Sequence, residues 1–185
     1  LLIFLISILK YLNTRKFYYL LIISFLSVFT FFWSLDRGFF VFISLIPLFI
    51  FVLINDRKDF IKFIFSVLFF WILTILMMGT EIFLYFIHHT KEILTQHEFI
   101  NGLIHPQPFS DDPNASRATK SLLLIILNFI ISIIILLSKK DYFLNNTKFL
   151  FIFFSILNFL IYKTALSRSD GGHIKAATYF SLILF

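Results

Sequence analysis

The chain alternates between long apolar runs and short charged segments. The runs are Phe17–Leu35, Phe39–Ile54, Phe60–Thr80, Ser121–Leu137 and Phe149–Leu166. At about 1.5 Å rise per residue, a helix of roughly 16–21 residues reaches some 24–32 Å, close to the thickness of a bilayer core. Helix is the expected form, because backbone groups in hydrocarbon must find their partners within the segment. Leu1–Leu9 reads as the end of a further span, since no basic segment or cleavage site marks it as a leader. Ile174–Phe185 starts another apolar segment. The pattern predicts an all-α, polytopic transmembrane helical bundle. It reads as a single transmembrane domain over 1–185, cut from a longer protein at both ends.

Composition agrees with this reading. Of 185 residues, 59% are hydrophobic, and the mean hydropathy is +0.94. Soluble domains average about 45–50% apolar residues. The 29 Phe residues are read mainly as lipid-facing and packing groups. There is no cysteine, which excludes disulfide and thiolate chemistry. The net charge of +6 does not point to nucleic acid, since no basic groove with interleaved aromatics lies outside the apolar runs.

The placement of charge predicts a topology. Lys10, Arg15 and Lys16, then Arg57, Lys58 and Lys62, then Lys139, Lys140 and Lys148 fall on one side of the alternating spans. The positive-inside rule assigns that side to the cytoplasm. The other side, the periplasm of a bacterial inner membrane, then receives Asp36-Arg37-Gly38, the polar region 81–120 and the cluster Arg168–His173. The basic side is made of plain Lys/Arg turns, whereas the opposite side mixes Asp, Arg, His and Gly.

Asp36-Arg37-Gly38 is expected to be a tight turn between two spans. Asp36 can cap the following helix, or act as a general base or metal ligand at the interface. Arg37 can grip a phosphate, and Gly38 can take an unusual backbone angle. Region 81–120 is expected to extend the preceding span as helix, then lay an amphipathic helix on the interface, where apolar residues such as Ile93 and Phe99 mix with His88, His89, Glu92 and His97. Pro106, Pro108 and Pro113 then break regular structure. Arg117 and Lys120, three residues apart, share a helix face at the start of the next span. Cations there oppose the helix dipole unless an anion joins them, so a phosphate site competes with snorkelling to lipid headgroups. His88-His89 and His97-Glu98 match no zinc spacing, Asp111-Asp112 can hold a divalent ion or form a solvated turn, and Asn114-Ala115-Ser116 fits a glycosylation acceptor pattern. No metal ligand set is assigned and no cofactor is expected, although a divalent metal is compatible.

Arg168-Ser169-Asp170-Gly171-Gly172-His173 is the densest chemistry in the chain. Charges there need water, headgroups or a protein cavity. Gly171 and Gly172 let a ligand approach the backbone. Arg168 can hold a phosphate, Asp170 can serve as base, and His173 can donate to a leaving phosphate oxygen. A Gly-Gly turn with solvated charges is the competing reading.

Leu35-Asp36-Arg37-Gly38 and Ala165–Ile174, with their order among the spans, resemble segments of uncharacterised bacterial polytopic membrane proteins related to GT-C class glycosyltransferases. The resemblance implies a polyprenyl-phosphate-linked sugar donor and transfer on the periplasmic face. It implies inversion, with Asp36 or Asp170 activating the acceptor hydroxyl, and Arg37, Arg117, Lys120 and Arg168 binding the lipid phosphate. An O-antigen polymerase or ligase-like enzyme and a non-enzymatic transport or assembly protein remain alternatives. Against transport stand the few polar residues within spans, chiefly Ser, Asn128 and Asn158, and a single intraspan proline, Pro47.

Overall fold

The computed structural model describes residues 2–101, 106–112, 114–138 and 145–167, together with Gly172, Ile174 and Thr178. Among the described residues the regular structure is entirely helical. The helices are α1 (Leu2–Thr14), α2 (Phe17–Trp33), α3 (Leu35–Ser44), α4 (Ile46–Asn55), α5 (Arg57–Met78), α6 (Thr80–Asn101), α7 (Ala115–Leu137) and α8 (Asn145–Ser167). Four stretches are long and apolar enough to cross a membrane: Arg37–Asn55, Arg57–Met78, Ala115–Leu137 and Asn146–Leu166. The chain is an integral membrane protein. It divides into two compact units, Leu1–Glu92 and Ile93–Phe185.

In the first unit α2 packs against α1, α3 and α5, and α4 packs against α5. Leu20, Ile23, Ser24, Ser27 and Val28 form the buried stripe of α2 at helical spacing. Small residues in that stripe allow close approach of neighbouring helices. Their hydroxyls are satisfied within the helix: Ser24 Oγ donates to the Leu20 carbonyl at 2.8 Å and Ser27 Oγ to that of Ser24 at 2.8 Å. By contrast, Phe65, Leu68, Phe69, Ile72 and Leu76 of α5 are exposed. Only 17% of the most apolar part of α5 is buried, an exposure that hydrocarbon tolerates and water does not.

The two basic corners of this unit meet at one end. Arg15, at positive φ between α1 and α2, places its guanidinium 4.2 Å from the ring centre of Phe51 near the end of α4. Lys62 Nζ lies 5.4 Å from the Phe17 ring. Asp56 caps α5 by accepting from the backbone N–H of Lys58 and Asp59 at 2.9 and 3.0 Å. The α2 end near Trp33 is held by aromatic contacts instead. Phe31 and Phe32 lie 5.1 and 5.0 Å from Trp71, and Phe32 also meets Phe83 and Phe86 of α6.

Three expectations change here. The corner between α2 and α3 is the extended residue Ser34, and Asp36-Arg37-Gly38 lies within the first turns of α3. Gly38 has no unusual backbone angle. It is needed for close approach, because a Cβ there would stand 2.2 Å from the Phe31 Cα. Phe39–Ile54 has a local break in its regular pattern between α3, which ends at Ser44, and α4, which restarts at Ile46; Leu45 stays in the αR region and still bonds to the Val41 carbonyl and the Phe49 N–H, so the span continues through it. Pro47 explains this, since it has no N–H to give to the Ile43 carbonyl. Finally, the span from Phe60 does not run on into region 81–120. Gly79 takes φ +83°, ends α5 and starts α6, and α6 then continues as one helix to Asn101.

In the second unit α7 and α8 form an antiparallel pair. Ala118 and Ile125 pack with Tyr162, Ala165 and Ile174. The seam is rich in small and polar residues, as expected where no hydrophobic effect drives helices together. Tyr162 Oη donates to the Ala118 carbonyl at 2.8 Å, and the Ser132 and Ser155 hydroxyls lie 2.7 Å apart. Asn128 and Asn158, one turn further along each helix, are buried. Asn128 Nδ2 has no hydrogen-bond partner among the described residues.

Candidate functional site

The sequence-derived residues that the structure describes fall at two helix starts, one in each unit. Asp36 and Arg37 occupy the first turn of α3, preceded by Ser34, whose side chain makes no capping bond. Arg37 is exposed. The conformation that positions them follows from the Phe31–Gly38 contact, which seats α3 against α2.

The second start is more elaborate. Residues 106–112 fold back onto α7: the Phe109 N–H donates to Thr119 Oγ1 at 2.8 Å. Asp112 organises the loop from within. Its Oδ2 accepts from Ser110 Oγ at 2.7 Å and from the Gln107 N–H at 3.2 Å. These two bonds favour the ionised form and hold the carboxyl below its usual range. Asn114, at φ +69°, starts α7 and accepts from Arg117 Nη1 at 3.2 Å. Arg117 and Lys120 are exposed. The N–H groups of Ala115 and Arg117 already donate to the Asp112 and Asn114 carbonyls, so the two exposed cations are what this helix start offers an anion.

Of the cluster Arg168–His173, only Gly172 is described, as an exposed residue. Arg168, Asp170, Gly171 and His173 lie outside the described residues. Their flanks are placed. Ala165 of α8 and Ile174 both pack on the Ala118 core, between Arg117 and Lys120 in the α7 sequence. The described residues that flank the cluster in sequence, Ala165 and Ile174, thus pack at the α7 end that carries the exposed cations.

The histidines serve differently. His88 Nε2 and His89 Nδ1 approach the two oxygens of Glu92 at 3.3 and 3.0 Å on α6. His97 lies in α6 near its end. Among the described residues no group of three His, Asp or Glu side chains can hold a metal. Asp112 is engaged inside its loop. Sequence reasoning missed the Thr119 anchor, the Tyr162–Ala118 bond and the serine pair, because each depends on a partner on another element. It also missed the break at Leu45, for which Pro47 was the available signal. Ser44, fully buried at that break, has a hydroxyl with no partner among the described residues.

No protein-family model matches the chain, and no curated protein or solved structure does either.

Proposed function

We propose that the protein handles a lipid-linked phosphate at the membrane surface, as a GT-C type glycosyltransferase using a polyprenyl-phosphate-linked sugar. The observation that carries this reading is the packing of Ala165 and Ile174, which flank the 168–173 segment in sequence, on Ala118 at the α7 start that presents Arg117 and Lys120. The segment's arginine, aspartate and histidine, with those two exposed cations, are the groups that bind a phosphodiester and move a proton. On this reading Arg117, Lys120 and Arg168 hold the lipid phosphate, and the backbone at Gly171 and Gly172 approaches it closely. Asp170 takes the proton of the acceptor hydroxyl, and His173 gives one to the leaving phosphate oxygen. Asp36 and Arg37 supply the same pair of functions at the α3 start if the acceptor binds there. The active face is then the periplasmic side of a bacterial inner membrane.

The test uses the full chain in liposomes. Sugar transfer from a polyprenyl-phosphate donor is expected to fall in Asp170→Asn. In Arg117→Gln, donor binding is expected to weaken about ten- to hundredfold, the loss that follows removal of a charge-assisted bond. Unchanged transfer and donor affinity in both variants would remove this reading.

The local break at Leu45 favours a second reading. A span weakened by Pro47, with the buried Ser44 hydroxyl left without a partner among the described residues, is a place where a transporter can hold a midplane site. Proline replacement separates the two, because Pro47→Leu should alter substrate passage and leave sugar transfer intact.

A further inference from the structure

Beside the break between α3 and α4, a groove of about 450 Å³ opens along α5. Its walls include Phe42, Ile46, Phe49, Phe60, Ile64 and Leu68. Phe49 stacks on buried Phe63 at 4.8 Å, which makes that wall rigid. Every side chain named is hydrocarbon, so water in the groove finds no polar partner. The groove runs beside α5, whose exposed apolar face suits hydrocarbon and not water.

The charged end of the groove indicates which occupant fits. Phe60, Ile64 and Leu68 recur at i, i+4 and i+8, and Arg57 stands one turn before Phe60 on the same face. Arg57 is exposed and is the first residue of α5, where the helix dipole opposes a cation. The neighbouring acids are committed elsewhere: Asp56 caps α5, and Asp59 pairs with Lys62 at 3.2 Å. Among the described residues no ion pair holds Arg57. Lys58, also exposed, stands about 100° around the helix from Arg57 and so off this face.

We propose that this groove binds one acyl chain of an anionic phospholipid, with its headgroup phosphate held at Arg57. The charge at the mouth and the apolar walls match the two ends of such a lipid. A zwitterionic lipid offers the same chain without the net charge. The proposal stands apart from sugar transfer and does not depend on it.

The experiment places the full chain in nanodiscs and uses a phospholipid with a diazirine in its acyl chain, either phosphatidylglycerol or phosphatidylcholine. Labelled peptides are mapped after illumination. Labelling of 42–49 and 60–68 is expected to favour the anionic lipid about fivefold, the contribution of one cation near a membrane surface. Arg57→Gln should bring the two lipids to parity. Ile64→Trp should fill the groove and abolish the preference, while Phe65→Trp, on the exposed neighbouring face, should leave it intact. If Ile64→Trp fails to fold, Leu68→Trp replaces it, and Arg57→Gln alone still decides the point. Equal labelling by both lipids in the wild-type chain would mean general solvation by lipid and would overturn the proposal. So would labelling of 42–49 and 60–68 by neither lipid, because the groove would then be closed to acyl chains.

Discussion

Gly38 is placed by a contact and not by a backbone angle. Its Cα sits against the Phe31 backbone, where any Cβ would overlap main-chain atoms that have no side chain to move aside. Gly38→Ala should therefore destabilise the α2–α3 hairpin by on the order of 3 kcal/mol, readable as a lowered unfolding midpoint in detergent. Asp112 makes a different kind of residue-scale prediction. Its carboxylate accepts two bonds inside the 106–112 loop and titrates below its ordinary value of 3.8. A depressed carboxylate contributes fully above its unfolded value and is lost as the pH falls through its folded one. The protection of the 106–112 amides relative to the intrinsic exchange rate at each pH should hold at pH 6 and fall away below about pH 3.8. Asp112→Asn should lack that protection at both.

At the scale of elements, α7 and α8 are joined by polar bonds inside an apolar surround. Their strength follows from the lack of water to compete for them, tempered by partners available before folding. The Ser132–Ser155 pair should show a coupling of about 0.6 kcal/mol in a double-mutant cycle with alanine. Tyr162→Phe should cost about 1 kcal/mol, since it removes the bond to Ala118 and leaves the ring packed. The periodicity of these helices was legible as apolar runs. Their ends were not, because Ser34, Leu45 and Gly79 are set by what the adjoining helices meet. Ser34 looks like part of an apolar run, and yet it is the corner. Asp36-Arg37-Gly38 looks like the corner, and yet it is helix.

At the scale of the whole molecule, the first unit gathers Arg15 and Lys62 at one end and the aromatic cluster around Trp71 near the α2–α3 corner. The chain has no cysteine, so single cysteines report the side of the membrane directly. Cysteines placed at Arg15 and at Lys58 should react with an impermeant reagent from one side. A cysteine at Arg37 should react from the other, and labelling of all three from one side would break the alternation of spans. The amino-acid sequence by itself determined that this is a helical membrane protein, because length and hydropathy decide that without reference to partners. It also marked the residues able to bind phosphate and move protons, because charge within an apolar chain is conspicuous. Only the tertiary structure decided that Gly38 serves packing, that the span around Pro47 borders a groove along α5, and that Ala165 and Ile174 pack at the α7 start. Each of these depends on atoms distant in the chain coming within a few ångströms, and local pattern carries no record of such distances.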